Sequence, residues 1–289
     1  MSTKPKILLQ LDTDDQPSVF DSVVAIDADV QHLLRHQAIR PDNVRDRVHG
    51  AIFTRGTDDL RSTAIFIGGG DVTLGEAVLA AVKKSFVGPM RVSVMLDSNG
   101  ANTTAAAAVL AARKHLDLKK TTALVLGGTG PVGRRAARLL AREGAEVRVG
   151  SRGQTRAQAV CRDVSSIVAG ARITAVGTAN AQETEQALVG CELVIAAGAA
   201  GVELLSADAR RNAGALRVAV DLNAVPPAGI GGIEVFDKAV DHSGVVSYGA
   251  LGVGGTKMKI HKAALRALFE SNDRIFDADE LYDLGKSLG

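Results

Sequence analysis

Residues 122–127 (TALVLG) read as a short apolar strand, and Gly128-Thr129-Gly130-Pro131-Val132-Gly133 follows it directly, opening a helix over RRAARLLAREG. Gly-x-Gly-x-x-Gly between a strand and a helix is the spacing that receives the pyrophosphate of a dinucleotide. Gly128 is expected to make the tight turn. Gly130 is expected to let the phosphates approach the backbone where a Cβ would stand in the way, and Gly133 to let the helix lie close on the strand. The free N–H groups and dipole of the helix N-terminus favour negative charge there. The next strand, 146–150, runs into Ser151-Arg152, with Arg156 just beyond. An acid at that place would hold the ribose 2′-hydroxyl of NAD; none is present, and an arginine pairs bidentately with a 2′-phosphate. The expected cofactor is therefore NADP. An ATP loop is excluded, because Gly133 is followed by Arg134-Arg135 and lacks the Lys and hydroxyl such a loop needs. The plainer alternative is a glycine-rich turn followed by a solvated basic loop.

Other polar residues fall where strands end, the place at which open α/β sheets bind ligands. Asp12, Asp14, Ser18 and Asp21 follow the first strand, 6–11, and Gly68 to Asp71 follow the second, 63–67. Asp97, Ser98, Asn99, Asn102, Thr103 and Thr104 follow the third, 91–96. Gly198 to Gly201, directly after Ala197, and then Asp221 to Asn223 follow later strands, and Ala197, Gly198 and Asn223 are expected at the cofactor. Each segment taken alone is also ordinary turn chemistry; their shared position at strand ends is what makes them candidates. Ser18 could cap the helix that follows it. Lys257 and Lys259 flank Met258 after a glycine-rich segment, 249–255, and a helix is expected near 257–271. One of these lysines could be a solvated cation and the other held near the cofactor. His261 shares a helix face with Lys257 at i,i+4 spacing, too few ligands for a metal site, and no metal is expected. Tyr282 and Lys286 match the Tyr-x-x-x-Lys pair of short-chain dehydrogenases, but the glycine pattern of that family fails at Arg134; they are expected on a helix surface.

These residues need a frame to hold them. At 289 residues, and about 150 per domain, two domains are expected. The chain is 46% hydrophobic with 3% aromatic residues and 31 glycines, so its core is aliphatic, as in parallel sheets covered by helices. Strands and helices alternate throughout, which predicts an α/β fold: a Rossmann-type doubly wound parallel sheet, a smaller α/β domain, and a cleft between them. The expected domains are 1–115, braced by C-terminal helices in 265–289, and 116–264. A net charge of +2 gives no bias toward nucleic acid. No apolar run reaches the length of a membrane span and the N-terminus lacks a signal-peptide run. The two cysteines, Cys161 and Cys191, are expected to be reduced and structural, in a cytoplasmic protein.

Taken together, LDTDDQPSVFD, STAIFIGGGD, MLDSNGANTTAAA, GGTGPVG, LNAVPPAGIGGI and GALGVGGTKMK resemble the NADP-dependent methylene-tetrahydromethanopterin dehydrogenases of bacterial one-carbon metabolism, over nearly the whole chain. The resemblance implies hydride transfer from the one-carbon bridge of methylene-tetrahydromethanopterin to NADP+, giving the methenyl form; some members also accept methylene-tetrahydrofolate. It implies a pterin or folate carrier as partner and a homo-oligomer, beside the absence of nucleic-acid and membrane partners already expected from charge and hydropathy. By motif position it carries over catalytic roles to Asp21 and Lys257. Asp14, Ser18, Phe20, Asn99, Asn102 and Thr103 are carried over as carrier contacts. With so few rings, aliphatic walls and polar groups are expected to hold the pterin, and Phe20 is the first ring to examine. The bridge carbon lies between two nitrogens, so its cation is resonance-stabilised and no acid–base pair is required. Two alternatives stand beside this reading: another two-domain NADP-dependent dehydrogenase, of the shikimate type, and a non-catalytic NADPH sensor.

Overall fold

The computed structural model describes residues 4–289. The chain begins with β1 (Ile7–Asp12), α1 (Val19–Asp27), β2 (His32–His36), α2 (Arg45–Ile52), β3 (Thr63–Gly68), α3 (Val72–Lys84), β4 (Ser93–Leu96) and α4 (Ala101–Arg113). It continues through β5 (Thr122–Leu126), α5 (Pro131–Arg142), β6 (Glu146–Ser151), α6 (Gln154–Ile167), β7 (Arg172–Gly177), α7 (Ala181–Leu188) and β8 (Leu193–Ala196). Then follow α8 (Ala207–Asn212), β9 (Val218–Asp221), β10 (Lys238–His242), β11 (Val245–Tyr248), α9 (Ala250–Ala267), β12 (Ile275–Phe276) and α10 (Ala278–Ser287). Two compact units result: one of the residues up to Thr103 together with Met258–Gly289, the other of Thr104–Lys257. Both divisions fall inside helices, α4 and α9, and not at 115 and 264. An uninterrupted helix gives no loop signal at the point where contacts change over.

The first unit is built on a parallel sheet ordered β12-β4-β3-β1-β2. Its central strands are buried along almost their whole length, which is why they read as unbroken apolar runs. Leu11, Ile65, Ile67 and Leu96 pack with Ile39, Val48, Ile52, Val78 and Val82 in one core cluster. The sequence reading missed both edge strands. β2 (HLLRH) is largely exposed and carries charge, and β12 is two residues long. Strand order reverses between β1 and β3, so the ends of these two strands form the switch point at which such sheets open a ligand crevice.

Tyr282 corrects an expectation. It is not on a helix surface: its side chain is fully buried, beside Leu281 and Gly285 on the inner face of α10. The Lys286 ammonium lies 4.9 Å from its ring centre, so the pair belongs to the packing of this unit. Tyr282→Ala is expected to cost about 3–5 kcal/mol of stability, read as a lower denaturant midpoint at unchanged slope; a surface tyrosine would leave the midpoint almost unmoved.

The second unit carries a sheet ordered β10-β11-β9-β8-β5-β6-β7, parallel except for the β10–β11 pair. From β7 through β11 this is the strand order of dinucleotide-binding sheets, with the reversal between β5 and β8. The β10–β11 hairpin was not foreseen, although Ser243-Gly244 turns it with positive φ at both residues (61° and 85°), the requirement of a two-residue hairpin. Residues 250–255 of the glycine-rich segment form the first turns of α9, which therefore begins before the expected residue 257, and Gly249 directly precedes it. A Cβ at Gly249 would stand 2.1 Å from the Glu234 carbonyl oxygen and one at Gly252 1.7 Å from that of Asp237. Glycine there lets the helix lie directly on backbone, which outweighs its helix penalty of about 1 kcal/mol per residue. Cys161 and Cys191 are free thiols, and burial pushes Cys191 up to about 11. Among the described residues no helix is long and apolar enough to cross a membrane, and no group of three or more His, Cys, Asp or Glu gathers as metal ligands.

Candidate active site

In the second unit the glycine turn sits at the end of β5, on one side of the strand-order reversal. The sharp turn is made by Gly127 (φ 67°), one residue earlier than the sequence reading placed it. A Cβ on Gly127 would meet the Gly198 Cα at 2.6 Å. Gly128 is required for a different reason: its Cβ would stand 2.7 Å from Val149 Cγ1 and 3.0 Å from the Val125 carbonyl oxygen. Gly133 presses α5 on the turn, where a Cβ would lie 2.4 Å from the Gly127 oxygen. Gly130 is the N-cap of α5 and supplies no side-chain cap, and Pro131 occupies the first turn. Its Cβ position has only the Gly127 and Ala197 carbonyl oxygens near it, at 3.3 and 3.6 Å. A bare helix N-terminus facing a space that a side chain would fill suits a phosphate.

That space is part of a cavity of about 530 Å³. Of the residues singled out by sequence, Thr129, Gly130, Pro131, Ser151, Arg152, Arg156, Ala197 and Gly198 line it. Ser151 is buried at the end of β6 and its hydroxyl accepts from the Gly153 N–H at 3.2 Å. The position of a Cβ on Gly153 lies 3.2 Å from Arg156 Nε, so this guanidinium folds back over the same turn, leaving a hydroxyl and two cations at the place where a 2′-phosphate would add its charge. These groups fit NADP. Gly128, Val132 and Gly133 do not line the cavity; the two glycines shape its floor from behind. Asn223 does not line it either. Its side chain is spent inside its own loop, accepting from Val225 N at 3.0 Å and donating to the Pro227 oxygen at 2.8 Å, and it accepts from Gly201 N at 3.4 Å. The sequence reading missed Thr178, Asn180 and Thr184 beyond β7, and the stretch 202–206, all of which line the cavity. The third strand of a dinucleotide-type order marks the first group; nothing local marks the second.

In the first unit the ends of β1, β3 and β4 are stitched together. The Asp12 carboxylate is buried and accepts from the N–H groups of Asp14 (3.0 Å) and Ser18 (2.9 Å). Ser18 caps α1, its hydroxyl accepting from Asp21 N at 3.1 Å. Asp14 is exposed and accepts from Gly70 N at 2.9 Å. A Cβ on Gly68 would lie 3.3 Å from Asp12 Oδ2 and 3.4 Å from Asp21 Oδ2, so Asp21 holds its carboxylate over the end of β3, at the switch point. Asn99 is exposed, takes a left-handed conformation (φ 53°) and donates its N–H to the Gly69 oxygen at 2.8 Å. Left-handed non-glycine residues concentrate at functional sites.

Asn102 and Thr103 behave otherwise. Both are buried. Asn102 donates to the Leu96 oxygen (2.6 Å) and to Asp277 Oδ1 (3.0 Å), and the Thr103 hydroxyl donates to Asp97 Oδ2 (2.6 Å). These bonds tie α4 to the end of β4 and to the cap of α10, which gives both residues a packing role. Asn102→Ala is accordingly expected to lower stability by about 1–3 kcal/mol and to leave KM for the carrier unchanged, which thermal melts and initial rates together will show. Phe20 is more than half exposed, on an apolar face of α1 with Val19, Val23 and Ile26. Lys257 is half-buried on α9. His261, one turn on, is buried, stacks on Phe66 at 5.5 Å and brings Nδ1 to 3.6 Å from Asp97 Oδ2.

Fold and turn define the class: a two-unit α/β chain in which one sheet has dinucleotide-binding order with its glycine turn at the reversal. Residues 19–99 match the family model for the N-terminal part of methylene-tetrahydromethanopterin dehydrogenase, and residues 123–225 that of the NAD-dependent epimerase/dehydratase family. The bifunctional protein MdtA of Methylorubrum extorquens is 48% identical over 98% of this chain and 99% of its own length. The NAD(P)-dependent methylenetetrahydromethanopterin dehydrogenase of the same organism is 34% identical over 92% of this chain and 93% of its own. The chain belongs to the methylene-tetrahydromethanopterin dehydrogenase family. Among solved structures, shikimate 5-dehydrogenase of Listeria monocytogenes superposes with a TM-score of 0.55 over 98% of this chain and 97% of that one, at 11% identity, a likeness of fold alone.

Proposed function

We propose that this chain oxidises methylene-tetrahydromethanopterin to the methenyl form with NADP+, and that methylene-tetrahydrofolate is the second carrier to test. The observation that carries the cofactor half is one cavity lined both by the uncapped N-terminus of α5 and by Ser151, Arg152 and Arg156. Membership of the family supports the carrier half.

NADP+ supplies a two-electron acceptor at C4 of its nicotinamide. The C–H bond of the one-carbon bridge breaks with its electron pair, and the positive charge left on carbon spreads over the two flanking nitrogens. No proton moves, so the chain has to orient, exclude water and stabilise charge. The α5 N-terminus and the glycine turn hold the pyrophosphate, and Arg152 and Arg156 hold the 2′-phosphate. Asp21 opposes the cation that grows on the bridge. Lys257 orients the pterin or the imidazolidine ring, and Asp14 and Asn99 offer hydrogen bonds to the pterin. We place the enzyme in the cytoplasm as a homo-oligomer, for which light scattering on the purified protein is the check. The decisive assay follows reduced nicotinamide absorbance with each methylene carrier, using NADP+ and NAD+ in parallel. Turnover with NADP+ and at least one carrier is expected; no turnover with either carrier overturns the reading.

A further inference from the structure

Asp221 has no part in the mechanism above, yet it is among the most completely engaged carboxylates in the second unit. It is the last residue of β9, paired with Ala196 of β8, and is almost fully buried. One oxygen accepts from Asn223 N at 3.0 Å and the other from Ile230 N at 3.0 Å, and the Gly229 backbone lies against the carboxylate. These bonds fold residues 222–230 into a loop around the carboxylate. Gly229 must be glycine for the loop to close, because a Cβ would stand 2.7 Å from Asp221 Oδ1. Burial raises the carboxyl pKa while the backbone hydrogen bonds pull it back.

The loop is also the support of the cavity wall. The Gly229 oxygen accepts from both Leu204 N (2.8 Å) and Leu205 N (3.1 Å), and Gly231 N donates to the Leu205 oxygen at 2.8 Å. Leu204 in turn presses on Gly198, where a Cβ would lie 2.5 Å from Leu204 Cδ1, and Gly198 closes on Gly127 of the glycine turn. A continuous set of contacts therefore leads from the Asp221 carboxylate through Gly229, Leu204 and Gly198 to the turn that receives phosphate. Resting on the cofactor reading above, we infer that Asp221 is a positioning residue: it sets the 198–205 wall and so fixes the half of the dinucleotide lying beyond β8 and β9, whereas the adenine half depends on the groups after β6 and β7.

The test is calorimetric titration of wild type and Asp221→Asn with two probes, NADP+ and 2′,5′-ADP, the latter carrying only the adenine half. An amide must turn its NH2 toward a backbone donor, so the loop loses one bond and gains an N–H facing an N–H. Asp221→Asn is expected to weaken NADP+ binding about tenfold and to lower kcat, while 2′,5′-ADP binds within about twofold of wild type. Equal weakening of both probes would mean general loosening, and no change in either would mean no role; each overturns the inference. Wild type that binds neither probe overturns the cofactor reading instead. Should Asp221→Asn not fold, Leu204→Ala decides, because it releases the same wall from its other end and is expected to give the same split between probes. Equal or no weakening in Leu204→Ala overturns the inference.

Discussion

Replacing Arg152 and Arg156 together by alanine is expected to lower kcat/KM for NADP+ by about 100- to 1,000-fold and to leave kcat/KM for NAD+ almost unchanged. A hydrogen bond to a charged group contributes about 1.5–3 kcal/mol, and a bidentate arginine–phosphate pair lies at the upper end. Two such residues facing one dianionic group therefore supply the whole range, with some loss from non-additivity because they share a partner. Both side chains are exposed at the mouth of the cavity, so the fold does not depend on them and the double variant is expected to melt like wild type. The ratio of the two cofactor efficiencies is the informative quantity. If NADP+ and NAD+ lose efficiency equally, the 2′-phosphate is held elsewhere. The buried Ser151 hydroxyl would then be the next residue to vary, since it already orders the Gly153 backbone beside the arginines.

Asp21→Asn is expected to lower kcat about 100-fold with little change in NADP+ affinity. An aspartate about 6 Å from a developing unit charge stabilises it by about 2.8 kcal/mol at an effective dielectric near 20, and a group aimed at transition-state charge acts on kcat more than on KM. Asparagine keeps the size and removes the charge. The backbone N–H of residue 21, which completes the Ser18 cap, is unaffected by the change. A variant with wild-type kcat would remove Asp21 from the chemistry. A variant with raised KM and unchanged kcat would make it a group that holds the pterin equally in ground and transition states. Asp12 is the control: its carboxylate is already committed to the Asp14 and Ser18 N–H groups, so Asp12→Asn should show itself first as lost stability.

How much of this is legible in the sequence depends on the kind of signal. The glycine turn was legible because its spacing is local, although only Gly133 excludes a Cβ for a reason within one strand-turn-helix, whereas Gly128 also meets Val149 of β6. Even there the sharp turn belongs to Gly127, whose positive φ is tied to the approach of Gly198, about 70 residues away in sequence. The buried central strands other than β11 were legible as apolar runs. Among the edges, β7 was legible but β2, β10 and β12 were not, because an edge strand has one solvated side and need not show such a run. The burial of Asn102, Thr103 and Tyr282 was not legible, for one shared reason. Polar or amphipathic residues near a strand end or on a terminal helix look exposed until the partner that buries them is known, and Leu96, Asp277 and the inner face of α10 supply it.

The amino-acid sequence alone determined the α/β class, the aliphatic core, the site of the dinucleotide turn and the basic loop after β6, since all of these follow from composition, period and short-range spacing. Tertiary structure decided the rest. It placed β12 and α10 in the first unit, set the reversal of strand order between β1 and β3 and between β5 and β8, and raised Asp21 over the end of β3. It sorted the polar residues at strand ends into those left open, Asp14 and Asn99, and those consumed by packing, Asn102 and Thr103. The physical reason is that a hydrogen-bonding side chain is the same residue whether it faces a ligand or a buried backbone oxygen, and only the chain brought against it selects between the two.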